Sequence, residues 1–363
     1  MESPPRAWAE IDLGALRHNL RVAREASGTP CMAVVKANAY GHGLVEVART
    51  LEAEGVAFLG VANAGEARVL AQAGAKTPIY LLGPSLPEEQ EEIVARGWVP
   101  CLSSLEEARR FDDLARAERT TLRVHLSVDT GMGRGGFLPN DAPTALDAIR
   151  TLPNLDVTGL GSHLPSADED ADFTRRQFEL FDDLAGMLGA SRPFQHIHLA
   201  NSAGLLGFRS RTANLARPGL MLYGSSPLPA HQDRLQAVMT LKSRVSLIRE
   251  LPPGHGVSYG RTFITERPTR VATIGIGYGD GYPRHLSGSG VEVLIRGARC
   301  PLLGRVTMDQ IMADVTDLPD CKVDDEVELF GARIPVAEIA GKAGTIPWEI
   351  FTRVTERVAR VYS

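Results

Sequence analysis

Cysteine is scarce in this chain. The four present (Cys31, Cys101, Cys300 and Cys321) are scattered, with no C-x-x-C or zinc-like spacing, so a disulfide scaffold or a structural zinc is not expected. Each lies in or beside an apolar run and reads as a buried, reduced thiol. An excess of basic charge is also missing: 39 Lys and Arg face 44 Asp and Glu, a net charge of −5, and no dense Lys/Arg run occurs. That excludes the electrostatic footprint of a nucleic-acid binder. No apolar stretch reaches the roughly eighteen residues of a membrane helix. The opening residues 1–10 lack the apolar core of a secretory signal, so the expected setting is the cytoplasm, with no membrane partner.

The chain has 363 residues, 44% hydrophobic and 23% charged. At about 150 residues per domain that suggests two domains, or a barrel with an addition. From residue 31 to about 224, short β-rich runs alternate with helical periodicity. The expected strands are 31–36, 57–62, 78–83, 99–103, 122–129, 157–163, 196–201 and 215–222. Helical patterns such as 44–54, 66–73 and 87–96 are each followed by a glycine (Gly55, Gly74, Gly97), the usual stop signal. Eight such strands read as a parallel (β/α)8 barrel, with a doubly wound open sheet as the alternative. After Leu235 the texture changes to alternating runs at 238–251, 270–278, 291–295 and 326–330, separated by Gly- and Pro-rich turns, which reads as an all-β unit. Residues 7–13 also look extended, and Asp12 is placed to cap a following helix. The expected fold is therefore α/β, a barrel over 12–235 with a mainly-β domain formed by 236–363 together with 1–11.

In a (β/α)8 barrel, polar groups just beyond the strand C-termini build the site. Those positions hold Lys36, Arg134, His163, Asn201, Ser202, Arg217 and Gly219. A lysine at such a mouth is readily desolvated, which lowers its pKa and supplies the neutral amine that attack on a carbonyl requires. As isolated residues, Lys36 reads equally well as a snorkelling surface lysine, and His163 reads more readily as a structural histidine. Three other patterns carry less. Gly131-Met-Gly133-Arg-Gly135-Gly136 matches G-x-G-x-x-G but is followed by Pro139 and Pro143 in place of the helix a dinucleotide site needs. His196-x-His198 puts two imidazoles on one strand face, but no His or Asp ends the eighth strand to complete a metal pair. The alternating glycines 275–281 suit a close approach of backbones at a domain junction.

The eleven residues Ala33-Val-Val-Lys36-Ala-Asn-Ala-Tyr40-Gly-His-Gly43 resemble the pyridoxal-phosphate lysine motif of alanine racemases. The resemblance continues through Trp8-Ala-Glu-Ile-Asp12, Asp129-Thr-Gly-Met-Gly-Arg134, Ser162-His163, Asn201-Ser202, Arg217-Pro-Gly219, Val257-Ser-Tyr259-Gly260, Gly277-Tyr278-Gly-Asp280-Gly281 and Met308-Asp309-Gln310, in the family's order. It covers nearly the whole chain. It implies a pyridoxal 5′-phosphate (PLP) barrel followed by a β-domain, a head-to-tail homodimer with shared active sites, and interconversion of L- and D-alanine that supplies D-alanine for peptidoglycan.

Racemisation removes a proton from one face of Cα and returns one to the other, so two acid–base groups must face opposite sides. By resemblance Lys36 serves the D-enantiomer, and Tyr259, contributed by the partner subunit, the L-enantiomer. The resemblance also places Arg217 at the pyridine nitrogen with His163 behind it. Tyr40, Asn201, Ser202, Gly219 and Leu220 fall around the cofactor, Arg134, Met308 and Asp309 around the substrate carboxylate, and Tyr278 near the entrance. Two positions depart from the family. Ser127 stands where many members carry a carbamylated lysine, and Trp348 where a tyrosine usually guards the entrance. The same architecture with a preference for serine or another amino acid is the alternative activity; a PLP-carrier barrel without the β-domain is a weaker one.

Overall fold

The structure is a computed structural model and describes residues 5–363; the first four residues of the N-terminal stretch lie outside the described residues. The chain divides into two compact units, one of Arg17–Ala39 and Leu44–Leu235, the other of residues through Leu16, Tyr40–Gly43 and Gln236–Ser363.

Strand β1 (Ala7–Ile11) belongs to the second unit. In the first unit, β2 (Met32–Val34), β3 (Phe58–Val61), β4 (Ile79–Leu81), β5 (Val99–Leu102), β6 (Leu122–Ser127), β7 (Leu155–Gly161) and β8 (His196–His198) follow one another in a parallel sheet in sequence order. β2 to β5 are buried along their whole length. That explains why they read as continuous apolar runs and not as alternating ones. Met32, Phe58, Tyr80, Val99, Cys101 and Leu215 pack together as one cluster, each large apolar side chain contributing about 1.5–3 kcal/mol by leaving water. The intervening helices stop as expected: Pro87–Arg96 ends on Gly97 with φ 67°, and Gly55 and Gly74 also have positive φ.

The eighth strand differs from its expected form. Residues 215–222 form no continuous ladder, only a bridge between Ala216 and Cys31. Even so, the segment bonds on both sides. Leu215 N donates to Ile197 O (3.2 Å) and Arg217 N to Ala200 O (3.2 Å) on the β8 side; Met32 N donates to Ala216 O (2.7 Å) and Val34 N to Pro218 O (3.0 Å) on the β2 side. These bonds join the first and last strands and close the barrel. Pro218 has no N–H to extend a ladder, and the chain turns at once into a 3-10 helix, Leu220–Tyr223.

In the second unit the long strand β9 (Met239–Leu251) is central. Its first half pairs antiparallel with β1, and its second half with β12 (Thr269–Ile274). Between β9 and β12 in the chain comes a separate small hairpin of β10 (Gly256–Val257) and β11 (Phe263–Ile264). With β13 (Glu292–Ile295), β14 (Ala298–Pro301), β15 (Ile311–Asp314), β16 (Glu326–Phe330) and β17 (Ala359–Tyr362), the order is β14-β13-β16-β9-β1-β17, with β12 joining β9 to β15. Asp12 caps the following helix by accepting from Ala15 N at 2.8 Å. Two short helices, Val336–Ala343 and Pro347–Arg353, complete the unit. The alternating glycines do permit a close approach, within this unit: a Cβ on Gly277 would stand 2.3 Å from Thr307 O and 2.4 Å from Met308 O.

Candidate active site

Lys36 leaves β2 two residues past its last ladder residue and is half-buried. The four residues after it, Ala37 to Tyr40, have φ of 53, 54, 53 and 52°, a turn of left-handed helix. Asn38 Oδ1 accepts from Leu44 N (2.8 Å), tying the turn to the next helix. Burial lowers the pKa of the Lys36 amine, and the charges of Arg134 and Arg217 lower it further against an opposing push from Glu66. These side chains, which come from four different βα connections, therefore share one electrostatic environment.

Arg134 lies in the loop after β6. Burial raises the Asp129 carboxyl, but it is held below the usual carboxylate range by accepting from Gly131, Gly133 and Met132, with Arg134 nearby. The Gly131 and Met132 bonds measure 2.8 and 2.7 Å. The G-x-G-x-x-G match is thus a loop pinned by one carboxylate, and the next helix begins only at Ala142. The guanidinium of Arg134 is exposed and makes no hydrogen bond or ion pair among the described residues. It is open to an external anion. Ser127, at the end of β6, sits against Gly136, where an added Cβ would lie 3.0 Å from the serine hydroxyl.

Arg217 is buried and donates to four acceptors. Nη1 reaches His198 Nδ1 (3.0 Å), while Nη2 reaches His163 Nδ1 (3.0 Å), Leu199 O (3.1 Å) and Ser162 O. A guanidinium has no acceptor to offer, so both imidazoles must present a lone pair at Nδ1 and carry their proton on Nε2. His198 Nε2 lies 2.9 Å from His125 Nδ1, so the same logic passes to His125, whose Nε2 has no hydrogen-bond partner among the described residues. The tautomers are thereby fixed by the donor at one end. Burial and then the Arg217 charge keep His163 and His198 well below the ordinary histidine range; burial and the neighbouring His196 push His125 down to about 3.

A histidine depressed in the fold binds fewer protons than it does unfolded, so its stabilising contribution is whole above pH 6.5 and is lost as pH falls toward the folded value. The slope is about 1.4 kcal/mol per pH unit for each group. The expected result is that His125, His163 and His198 stay neutral, protonated at Nε2, from pH 8 to pH 5. Imidazole 15N NMR checks this, and a charged-imidazole signal from any of the three at pH 6 counts against the network. Sequence reasoning had no role for His125, which sits at a buried position of β6 between Val124 and Leu126; in register it stands level with Gly159 of β7 and, beyond it, with His196 of β8.

Ser202 opens the helix Ser202–Gly207. Its hydroxyl oxygen accepts from Gly219 N (3.0 Å) and Met221 N (3.2 Å), so its own hydrogen is left to donate. Asn201 instead serves the local fold, accepting from Gly204 N (3.0 Å) and donating to Leu164 O (3.2 Å). Tyr40 is buried, which raises its phenol pKa.

The remaining expected residues lie on loops of the second unit. Tyr259 is 72% exposed and follows Ser258, whose φ is 63°, in a tight turn continued by Gly260 and Arg261 at positive φ. Tyr278 N donates to Thr307 O (3.0 Å) and Gly279 N to Met308 O (2.8 Å), so the two loops are laced together, with Tyr278 and Met308 both exposed. The Asp309 carboxylate accepts from Arg357 Nη2 at 2.8 Å. Trp348 is half-buried in the helix Pro347–Arg353. Among the described residues no helix is long and apolar enough to cross a membrane.

Residues 11–227 match the family model "Alanine racemase, N-terminal domain" and residues 238–362 match "Alanine racemase, C-terminal domain". An alanine racemase of Halothermothrix orenii is 41% identical over 98% of this chain and 96% of its own length. The alanine racemase structure from Clostridium difficile 630 superposes with a TM-score of 0.93 at 34% identity, covering all of this chain and 97% of that one. That of Bartonella henselae, solved with covalently bound pyridoxal phosphate, gives 0.91 at 31% identity, covering 99% of this chain and all of that one. The chain belongs to the alanine racemase family and is an amino acid racemase.

Proposed function

We propose that the enzyme interconverts L- and D-alanine with pyridoxal 5′-phosphate carried on Lys36, using Lys36 and the Tyr259 of a partner subunit as the two proton-transferring groups, and so supplies D-alanine for peptidoglycan. The observation that carries this reading is the Lys36 amine, half-buried beside Arg134 and Arg217 and held below its ordinary pKa. The donor set fits the cofactor: a depressed amine for its carbonyl, a donor-only guanidinium at Arg217 for its ring nitrogen, and a Ser202 hydrogen directed away from two backbone N–H groups for its phosphate. Bound there, PLP supplies an electron sink for the pair left when Cα loses its proton.

The protein's own groups do the rest. Arg217 offers only N–H, so the ring nitrogen it meets keeps its lone pair, and His163 and His198 hold the guanidinium plane in place. Arg134, with no hydrogen bond or ion pair among the described residues, takes the substrate carboxylate, with the backbone of Met308 from the partner subunit. Tyr40, Gly219 and Leu220 surround the phosphate, Asn201 caps the helix that carries Ser202 toward it, and Tyr278 lines the entrance. The Asp309 carboxylate acts through Arg357, to which it is bonded, and so shapes the loop that presents Met308. Exposure of Tyr259, Tyr278 and Met308 on one unit supports a homodimer in which these loops serve the neighbouring barrel.

Borohydride reduction of the holoenzyme followed by peptide mapping is expected to find the pyridoxyl group on Lys36. A label on another lysine removes the reading.

A further inference from the structure

The left-handed turn after Lys36 is disfavoured at every residue except Asn38, because Cβ of an L-residue crowds its own backbone there. Something must hold it. Ala37 N donates to Glu66 Oε1 at 2.6 Å, while the other oxygen of that carboxylate accepts from Ala62 N at 2.8 Å. Glu66 lies in the first turn of the helix Ala64–Gln72, its own N–H capped by Asn63 Oδ1 at 3.0 Å. One carboxylate thus joins the loop after β3 to the turn after β2.

The arrangement repeats. Glu89, at the same place in the helix Pro87–Arg96, accepts from Leu86 N (2.9 Å) in its own loop and from Ala64 N (3.0 Å) at the preceding one. Glu107, in the helix Leu105–Ala117, accepts from Ser103 N (2.9 Å) in its own loop and from Ser85 N (3.4 Å) in the preceding one. Three glutamates therefore form a ladder across four consecutive βα loops, and its last rung is the peptide that follows Lys36. A helix cap needs only the contact to its own loop; the second oxygen of each carboxylate does something a cap does not.

We propose that Glu66 is a positioning residue for Lys36, its carboxylate fixing the left-handed turn from which the amine is presented. This rests on Lys36 being the cofactor-bearing lysine. The bond to Ala37 is charge-assisted and short, of the kind that fixes geometry as well as adding stability. Glutamine keeps the length of the side chain but offers an NH2 where the second oxygen accepted an N–H.

The test compares Glu66→Gln with Glu89→Gln, which disturbs the same pattern one loop away from Lys36. In cofactor-free protein, Lys36 reactivity is read by trace acetylation and mass spectrometry across pH, PLP affinity by titration, and unfolding by thermal melt. Both variants are expected to lower the melting temperature. Glu66→Gln alone is expected to raise Lys36 acetylation at pH 8, because a neighbouring negative charge is lost, and to weaken PLP binding about tenfold, the ratio expected for one charge-assisted bond. Glu66→Asp keeps the charge but falls one methylene short of Ala37, and is expected to weaken PLP binding without the rise in acetylation. It also serves if the glutamine variant does not fold. Unchanged acetylation and affinity in Glu66→Gln, or wild-type affinity in Glu66→Asp, overturns the proposal. Should PLP map to another lysine, the cofactor reading fails separately, while the Lys36 acetylation profile still decides whether Glu66 positions this amine.

Discussion

Lys36→Ala and Tyr259→Phe are each expected to be almost inactive as homodimers, and an equal mixture under subunit exchange is expected to recover about a quarter of wild-type activity. Removing either proton-transferring group costs about 10²- to 10⁴-fold, and Lys36→Ala loses the covalent anchor as well. The recovery follows from symmetry. In a two-fold dimer each site would join Lys36 of one chain to Tyr259 of the other. A mixed dimer then has one site with both residues and one with neither. Random exchange makes about half of the dimers mixed, and half of their sites are whole. If the two residues acted within one chain, every site in the mixture would lack one of them and nothing would return. Exchange is confirmed independently by native mass spectrometry of differently tagged chains. Demonstrated exchange without activity ends the shared-site reading. The exposure of Tyr259, at 72%, is what this experiment interrogates.

The barrel was legible in the sequence wherever a strand was a short apolar run closed by a glycine-terminated helix. The helix Pro87–Arg96 begins and ends where Pro87 and Gly97 place it. At 215–222 only the first half behaves as the apolar run suggests, bonding to β8 on one side and to β2 on the other. Pro218 has no N–H with which to extend the pairing, and Leu220–Tyr223 form a 3-10 turn whose four residues are all buried. Lys36, Arg134 and His163 could be placed because each follows a strand, and Arg217 because it lies in the last one. The left-handed turn could not be foreseen, since alanine has no local preference for it; the Glu66 carboxylate bonded to its first residue is 29 positions away. The glutamate ladder has the same character. Glu66, Glu89 and Glu107 read locally as first-turn acids, and only the parallel order of the strands brings their second oxygens to the preceding loops. His125 was hidden for another reason, being a buried polar residue between Val124 and Leu126 whose partner, His198, is 73 residues away.

Arg217→Lys is expected to lose at least about 10²-fold in kcat, the usual cost of removing a preorganised donor from a buried site, although the charge is kept. Lysine has three donors at one point, whereas the guanidinium serves His198 on one nitrogen and His163, Leu199 O and Ser162 O on another. A point charge cannot reach both imidazoles in one plane. Each acceptor left without a donor in the interior costs about 1–3 kcal/mol, so the fold weakens too, and loss of activity alone would not separate misplacement from instability. The histidines make the separation. An ammonium drawn to His163 and the two carbonyls no longer meets His198, so the lone pair of His198 is not held toward residue 217 nor its Nε2 proton toward His125. Two tautomers then become populated where the native protein has one. Imidazole 15N spectra at pH 7 and 10 °C, where the weakened variant is still folded, are expected to show the His198 and His125 signals shift toward mixed-tautomer values. Borohydride mapping should still find the cofactor on Lys36. A variant with wild-type kcat, or one that is slow but keeps the single native tautomer at both histidines, means that Arg217 does not organise this network.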